Sequence, residues 1–221
     1  ILNPVSGDIV DSINLVNEND IENIFNTSSS YNNWSKLNLN ERCNIINKFR
    51  KVILSHRENI ENIIKSETEK SDNDIFIEFL TTLEHFKEIV KIARFGLKKE
   101  RRNAGIMKLK KAFVEYEPVG TIGIISPWNY PLATPIGVCI EALLAGNNVI
   151  LKPSEHTPLT MIYIKNLWDE HIDYQNAFQV IIGDGLIGNL LVESNKIDMI
   201  CFTGSTTVGK IIAEKCGKLL K

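Results

Sequence analysis

The segment at residues 121–155, TIGIISPWNYPLATPIGVCIEALLAGNNVILKPSE, constrains the fold of this chain more than any other stretch. A short apolar run at 121–125 leads through a Pro- and Asn-containing turn into an apolar segment that Gly146 closes. A second apolar run, 148–151, ends on Lys152 and Glu155. The order of strand, turn, helix and strand, with polar groups after both strands, predicts an open parallel sheet whose carboxyl edge binds a nucleotide.

The remainder of the chain continues this alternation. Residues 159–168 predict an amphipathic helix, 178–182 a third strand, 186–192 a short helix and 197–202 a fourth strand, and a last helix is expected to start near Val208. Short loops between alternating strands and helices favour parallel pairing with helices on both faces. The predicted class is therefore α/β, with an open, parallel, Rossmann-like sheet and flanking helices.

The N-terminal part reads as helical. After an extended lead-in with a turn at 1–17, residues 20–25 predict a short helix that ends before a polar loop at 26–33. Apolar residues at three- and four-residue steps then predict a longer helix from Asn40, with Asn40 as its N-cap.

A second long helix is predicted from near Ser71 to Gly96. The cationic run at 98–102 indicates a solvated helix end or loop, and an anion site is the alternative. Alternation at 108–118 predicts a strand with one wet face. The predicted apolar stripe of the helix consists of Phe76, Leu80, Leu83, Phe86, Val90 and Ala93.

Composition excludes several kinds of partner. A net charge of -2 gives no reason to expect nucleic acid or an anionic membrane. No apolar run approaches the roughly 20 residues that span a bilayer, and nothing resembles a secretory signal. We therefore expect a cytoplasmic protein with neither a membrane nor a nucleic-acid partner.

The four cysteines are widely spaced and show no metal-type pairing, so we expect reduced thiols and no metal site. Two lie in apolar elements, where burial raises the pKa of a thiol and makes it a poor nucleophile. The other two lie on helices away from the predicted sheet edge. We therefore interpret all four as packing residues, and His156 as a solvated loop residue. The cysteines are Cys43, Cys139, Cys201 and Cys216.

Three motifs carry a family resemblance. PWN stands at 127–129, KPSE at 152–155 and FTGS at 202–205, in the order and spacing of the aldehyde dehydrogenase superfamily. The chain resembles this superfamily from about residue 40 to its end. The resemblance implies an N-terminal helical segment at 1–107 that flanks the cofactor domain. It also implies a strand region linked to an oligomerisation sheet at 108–118, and a Rossmann-like NAD(P)-binding core, incomplete at its C-terminus, at 119–221.

Asn129 is the catalytic residue that we predict. When a thiolate adds to an aldehyde the carbonyl oxygen becomes an alkoxide, and a fixed amide N–H can lower that barrier by about 3 kcal/mol. The alternative is a turn asparagine that satisfies its own backbone. Pro127 and Pro131 fix the turn on either side of Asn129. The indole ring of Trp128 either lies with its flat face beside the site or packs at an interface between domains.

The cofactor contacts follow from the resemblance and from helix-end chemistry. The resemblance implies that Lys152 and Glu155 bind the adenine ribose, which favours NAD over NADP because a carboxylate repels a 2′-phosphate. Gly204 and Ser205 open a helix directly after a strand and can seat a pyrophosphate. Gly183 and Gly185 are weaker candidates for a close approach to the adenosine, with a plain strand-ending turn as the alternative. The predicted contacts are Ile125, Ser126, Pro127, Trp128, Lys152, Ser154, Glu155, Gly185, Phe202, Thr203, Gly204, Ser205 and Val208.

The superfamily's nucleophilic cysteine and general base lie in GQxC-like and ELGG-like segments that these residues lack. We therefore expect a piece of a longer NAD(P)-dependent dehydrogenase that oxidises a small-molecule aldehyde and forms a homodimer or homotetramer when complete. The 221 residues alone are expected to be inactive. The alternative is a truncated nucleotide-binding or oligomerising module without chemistry. KPSE together with PWNYP resembles the hydrolytic branch of the superfamily more than the acylating branch.

Overall fold

The computed structural model describes residues 1–13, 18–107 and 109–221. The elements are, in chain order, helices α1 Glu18–Ser30, α2 Leu39–Ser55, α3 Arg57–Thr68 and α4 Asp72–Gly96, strands β1 Glu100–Arg102, β2 Ala112–Val114 and β3 Thr121–Ile125, α5 Ala133–Leu144, β4 Asn148–Lys152, α6 Leu159–His171, a 3₁₀ turn Gln175–Ala177, β5 Phe178–Val180, α7 Gly185–Glu193, β6 Met199–Phe202 and α8 Thr206–Leu219.

Four parallel strands form the main sheet in the order β5-β4-β3-β6. The chain fills one side of β3 with β4 and β5 and then returns through α7 to place β6 on the other side. This arrangement confirms the predicted α/β class and its parallel pairing. The reversal of strand order at β3 is the feature that opens a crevice at the carboxyl edge of such sheets.

Successive residues of the two central strands face opposite layers of helices. Ile122, Ile124, Val149 and Leu151 belong to the large core that α2 to α6 build, whereas Ile150 packs with residues of α1 and α7 in a second core. Because side chains alternate along a strand, this division shows helices on both faces of the sheet. The prediction of a sheet covered on both faces is confirmed.

The helical layer differs from the prediction at its boundaries. The short helix predicted at 20–25 extends over Glu18–Ser30, so the polar residues 26–30 are helical. The N-cap of α2 is Asn38 and not Asn40: the side chain of Asn38 accepts a hydrogen bond from the backbone N–H of Glu41, whose carboxylate accepts from the Asn38 N–H. This reciprocal pair is a capping box, and its N-x-x-E spacing was readable in the sequence.

Three further expectations are corrected. Phe76 and Leu80 are exposed on α4, whose buried stripe instead begins at Ile75 and Phe79. Part of the cationic run at 98–102 forms β1, which pairs antiparallel with β2. Within 109–118, only Ala112–Val114 is strand, and Lys108 lies outside the described residues.

Candidate functional site

A cleft opens at the carboxyl edge of the sheet between β3 and β6. The turn after β3 leads to α5 on one face, whereas the turn after β6 leads to α8, which packs with α7 on the other face. Backbone pairing continues just beyond the strands, because Ser126 N donates to Lys152 O at 3.2 Å and Thr203 N donates to Ile125 O at 3.0 Å. The three motif turns therefore leave the sheet side by side.

The cleft between these turns has a volume of about 600 Å³. It brings Asn129, Glu155 and Ser205 to one space, which is the juxtaposition that the sequence interpretation required. His156 also lines the cleft and is exposed there. The other lining residues are Ser126, Pro127, Trp128, Ser154, Phe202, Thr203, Gly204 and Val208.

A second pocket of about 350 Å³ adjoins the cleft between α7 and α8. Its lining includes Ile125, Lys152 and Gly185, so the two cavities together contain every site residue that the sequence predicted. Six residues that line this pocket were not predicted from the sequence. A signal was present, because they continue from Gly185 and Val208 at helical three- and four-residue steps. They are Gly188, Asn189, Val192, Ile211, Ile212 and Lys215.

Lys152 and Glu155 interact at the boundary of the two cavities. Lys152 is buried, and its Nζ lies 3.0 Å from Pro153 O and 3.4 Å from a Glu155 oxygen. Burial lowers the pKa of the Lys152 ammonium group, and the charge of Glu155 opposes that shift. The side chain of Glu155 is 47% exposed, so its carboxylate remains available to a ligand.

The Asn129 side chain is exposed in the cleft. Within the part of the chain that the structure describes, its amide forms no hydrogen bond to the turn that holds it. That observation disfavours the alternative of a turn asparagine satisfied by its own backbone. The turn itself is tied to the neighbouring motif, because Thr157 Oγ1 donates to Trp128 O at 3.3 Å.

The turn after β6 depends on Gly204. A Cβ at this position would lie 2.5 Å from Cζ of the Phe202 ring, so only glycine fits without displacing that ring. Ser205 caps α8 by accepting a hydrogen bond from Val208 N at 3.3 Å. The remaining first-turn amides of α8 and the positive end of its dipole lie beside the cleft, where they suit an anion.

Gly183 and Gly185 support different interpretations. A Cβ on Gly183 would lie 2.1 Å from Ile187 Cγ1, so this glycine allows α7 to approach the turn. A Cβ on Gly185 would meet nothing within 4 Å, so packing alone does not require a glycine there. Asp184 caps α7 by accepting a hydrogen bond from Leu186 N at 2.8 Å.

The described residues offer no activated thiol. Cys43, Cys139 and Cys216 are buried, and Cys201 is partly buried. Burial raises the pKa of Cys139 well above its ordinary value and also raises that of Cys201, which disfavours the nucleophilic thiolate. Over the described ranges, no group of three or more His, Cys, Asp and Glu side chains could hold a metal, and no helix is long and apolar enough to cross a bilayer.

Comparison with known proteins identifies the family. The profile described as "Aldehyde dehydrogenase family" matches residues 1–221. The chain belongs to the aldehyde dehydrogenase family. Members of this family are NAD(P) oxidoreductases.

Two relatives and one solved structure illustrate the likeness. A mitochondrial succinate-semialdehyde dehydrogenase of Oryza sativa subsp. japonica is 30% identical over 213 residues, which are 94% of this chain and 40% of that protein. A D-glyceraldehyde dehydrogenase (NADP(+)) of Picrophilus torridus is 30% identical, with 98% of this chain and 44% of that protein covered. The structure of betaine aldehyde dehydrogenase from Staphylococcus aureus in complex with NAD+ aligns with a TM-score of 0.91 at 25% identity, over 99% of this chain and 44% of that one. The chain thus spans less than half the length of these aldehyde dehydrogenases.

Proposed function

We propose that this chain is the N-terminal, cofactor-binding part of an NAD-dependent aldehyde dehydrogenase that oxidises an aldehyde to a carboxylic acid. The observation that carries the proposal is the convergence of Asn129, Glu155 and the Ser205 turn on one cleft. This cleft is lined by residues of all three motifs, PWN, KPSE and FTGS.

The two adjoining cavities fit a dinucleotide. The pocket between α7 and α8 has apolar walls for an adenine ring, with Glu155 at its mouth to accept hydrogen bonds from ribose hydroxyls. The N-terminus of α8 would hold the pyrophosphate. Ser126 supports this fit, because its hydroxyl is buried at the boundary of both cavities without a partner among the described residues, and a bound polar group could supply one.

In the proposed reaction, Asn129 acts on the substrate oxygen. Its Nδ2–H would donate a hydrogen bond to the oxyanion that forms when a cysteine thiolate adds to the aldehyde, and it would do so without transferring a proton. When bound, NAD supplies the acceptor for the hydride that leaves the thiohemiacetal carbon. Hydrolysis of the resulting thioester then gives the acid. We assign the thiolate and the general base to residues outside these 221.

The proposal names the substrate only as an aldehyde. The three proteins compared above are named for succinate semialdehyde, D-glyceraldehyde and betaine aldehyde, which differ in charge. Those names also include NADP(+) and NAD+, so the preference for NAD rests on Glu155 alone. We place the protein in the cytoplasm, as its composition suggested.

We also propose that the complete protein is a homodimer or homotetramer. The segment around β1 and β2 supports this proposal, because Ile106 and Leu109 are fully exposed, Phe95 is largely exposed and Phe113 is half-exposed. Exposed apolar side chains concentrated in one segment are typical of protein interfaces. Light scattering on the purified protein, with Ile106→Lys as the variant, would test this assembly.

The binding half of the proposal can be tested on the 221 residues. We expect a saturable change in NADH fluorescence that ADP-ribose competes away. Gly204→Ala would displace the Phe202 ring and should weaken NADH binding about tenfold, since small displacements in a pre-organised site are costly. Gly217→Ala is the control, because Gly217 lies in α8, which follows this turn, and a Cβ there meets nothing within 4 Å; this variant should bind NADH normally.

The same material tests the chemical half. These residues should give no aldehyde-dependent rise in NADH absorbance, because the described thiols are buried or partly buried. Such a rise would contradict our placement of the nucleophile, and absent NADH binding would refute the proposed site. NADH binding without oxidation by any longer form of the protein would instead favour a nucleotide-binding module.

A further inference from the structure

Two buried glutamates connect the helical layer to the motif turns. Glu78, on α4, accepts hydrogen bonds at Oε1 from the backbone N–H groups of Leu132 at 3.0 Å and Ala133 at 3.1 Å. Glu67, on α3, accepts from Leu159 N, from Thr160 N at 3.1 Å and from Thr160 Oγ1 at 2.7 Å. Each carboxylate thus binds the first residues of a helix that follows a motif, α5 after PWN and α6 after KPSE.

These contacts replace local caps. The residues at the N-cap positions of α5 and α6 are Leu132 and Pro158, and neither makes a side-chain capping bond. By contrast, α4, α7 and α8 are each capped by a side chain directly before the helix. Carboxylates suit helix N-termini because they accept charge-assisted hydrogen bonds and oppose the dipole. The caps of α5 and α6 come instead from 54 and 93 residues earlier in the chain.

Glu78 is itself braced on the side facing Asn129. Lys70 Nζ lies 2.6 Å from Glu78 Oε2 and 4.0 Å from the centroid of the Tyr130 ring. Tyr130 directly follows Asn129, so the ammonium group contacts both the cap and the turn that carries the amide. All of these residues line one cavity of about 610 Å³ on the α4 side of Asn129.

Glu67 is held in its position at an electrostatic cost. Burial raises its pKa, and the hydrogen bonds from Leu159 and Thr160 oppose that rise. Buried carboxylates are retained where each oxygen has fixed donors. Glu67 meets this condition, and the donors belong to the helix that ends the Glu155 turn.

We propose that Glu78 and Glu67 are positioning residues for the two halves of the site, with Glu78 holding the Asn129 turn and Glu67 holding the Lys152–Glu155 turn. This inference rests on the proposed function, in which the Asn129 turn acts on the substrate and the Lys152–Glu155 turn binds the cofactor. It adds a division of labour: Glu78 serves the chemical step, and Glu67 serves cofactor binding.

Replacing each glutamate by the isosteric glutamine in the full-length protein tests whether Glu78 and Glu67 have these separate roles. In Glu67→Gln one of the two oxygens that accept from the start of α6 becomes an NH₂ group, which cannot accept a hydrogen bond. In Glu78→Gln the NH₂ group replaces either the oxygen that accepts from Leu132 and Ala133 or the oxygen that pairs with Lys70, so the variant loses either the cap or its charged brace. Glu78→Gln should lower kcat about tenfold and leave the Kd of NADH unchanged, whereas Glu67→Gln should raise the Kd of NADH about tenfold and leave kcat at saturating cofactor unchanged. Glu88→Gln, an exposed ion-paired position on the same helix as Glu78, is the control and should change neither.

Hydrogen exchange provides a readout that is independent of activity. Glu78→Gln should accelerate amide exchange at the start of α5 only, and Glu67→Gln at the start of α6 only. Lys70→Met, which keeps the Glu78 carboxylate but removes its brace, is a milder variant and should lower kcat by a smaller factor. This crossed pattern of kinetics and exchange would support the proposal.

The results that overturn the proposal differ from those that overturn the proposed function. Equal losses of kcat and of NADH binding in both glutamine variants would show a general structural role and refute the division. Local exchange changes without the kinetic split would refute it as well. If the unaltered protein neither bound NADH nor oxidised aldehydes, the proposed function would fail, and unchanged exchange at both helix starts would independently refute the caps.

Discussion

Replacing Glu155 by glutamine should change the cofactor preference of this protein in a way that can be calculated from its surroundings. The Glu155 carboxylate lies 3.4 Å from Lys152 Nζ, and its side chain is 47% exposed at the boundary of the two cavities. In the proposed complex this carboxylate accepts hydrogen bonds from the ribose hydroxyls of NAD. With NADP it would face a 2′-phosphate instead.

Two contributions set the size of the effect. A hydrogen bond to a charged group contributes about 1.5–3 kcal/mol, and the half-exposed position of Glu155 argues for the low end, which is about tenfold in Kd. Two like charges about 4 Å apart repel by about 1 kcal/mol in water and about 4 kcal/mol at a dielectric constant near 20. Because Lys152 and solvent both screen this site, we take about 1.5 kcal/mol, a further tenfold. Glu155→Gln should therefore lower the ratio of the NADPH Kd to the NADH Kd about 100-fold.

Fluorescence titrations with NADH and NADPH at constant ionic strength would measure this ratio. Glu141→Gln is the matched control, because Glu141 has a similar exposure of 48% and pairs with His85 on α4, away from both cavities. If the ratio stays constant in Glu155→Gln, or falls equally in Glu141→Gln, Glu155 does not contact the ribose and our preference for NAD is refuted.

Three further predictions concern the site and its scaffold. Asn129→Ala should lower kcat of the full-length enzyme by about 10²–10³ with the NADH Kd unchanged, and steady-state kinetics showing a change in KM alone would contradict an oxyanion role. Gly123→Ala should destabilise the fold by about 1–3 kcal/mol, because its Cβ would lie 2.7 Å from Ile200 Cδ1. Gly217→Ala should instead stabilise α8 by about 0.5–1 kcal/mol, since a Cβ there meets nothing within 4 Å. Urea unfolding measures the free energy of unfolding of both variants, and a Gly123→Ala protein more stable than Gly217→Ala would contradict this packing. Burial lowers the pKa of Lys152, so its positive charge is present below that pKa and lost above it. The Kd of NADH should therefore rise at a lower alkaline pH than an exposed lysine would give. Titrations of NADH at several pH values would measure this rise, which Lys152→Met should abolish.

The sequence predicted the sheet more accurately than the helical layer for a physical reason. Each strand of the sheet is a short apolar run between turn residues, and parallel pairing follows from the intervening helices. In α4 the apolar residues are dense enough to permit two adjacent stripes. Contact with α2, α3 and α5 determines that Ile75 and Phe79 are buried while Phe76 and Leu80 are exposed. Tertiary packing, which periodicity does not specify, decided this case.

The same distinction applies to the site. Residues in the motif turns were predictable, because each follows a strand and their common edge is fixed by the topology. The pocket wall on α8 was predictable in principle, since Ile211, Ile212 and Lys215 follow Val208 on one helical face. Glu67 and Glu78 carry no such signal, because a glutamate in a helix normally indicates a solvent-exposed position. Only the folded chain shows that both are buried against backbone donors.

Contacts between the helical layer and the sheet therefore define the site as much as the motifs do. Trp34 Nε1 donates to Leu143 O at 2.8 Å, and Arg42 Nε donates to Leu144 O at 3.0 Å, so the C-terminal end of α5 is held by α2 and the segment before it. Glu78 holds the opposite end of the same helix. A helix fixed at both ends by an earlier part of the chain cannot shift along its axis without breaking buried hydrogen bonds, each of which is expensive to leave unmade. Since the PWN turn is the connection between β3 and this helix, the position of the Asn129 amide depends on the helical layer as well as on the sheet.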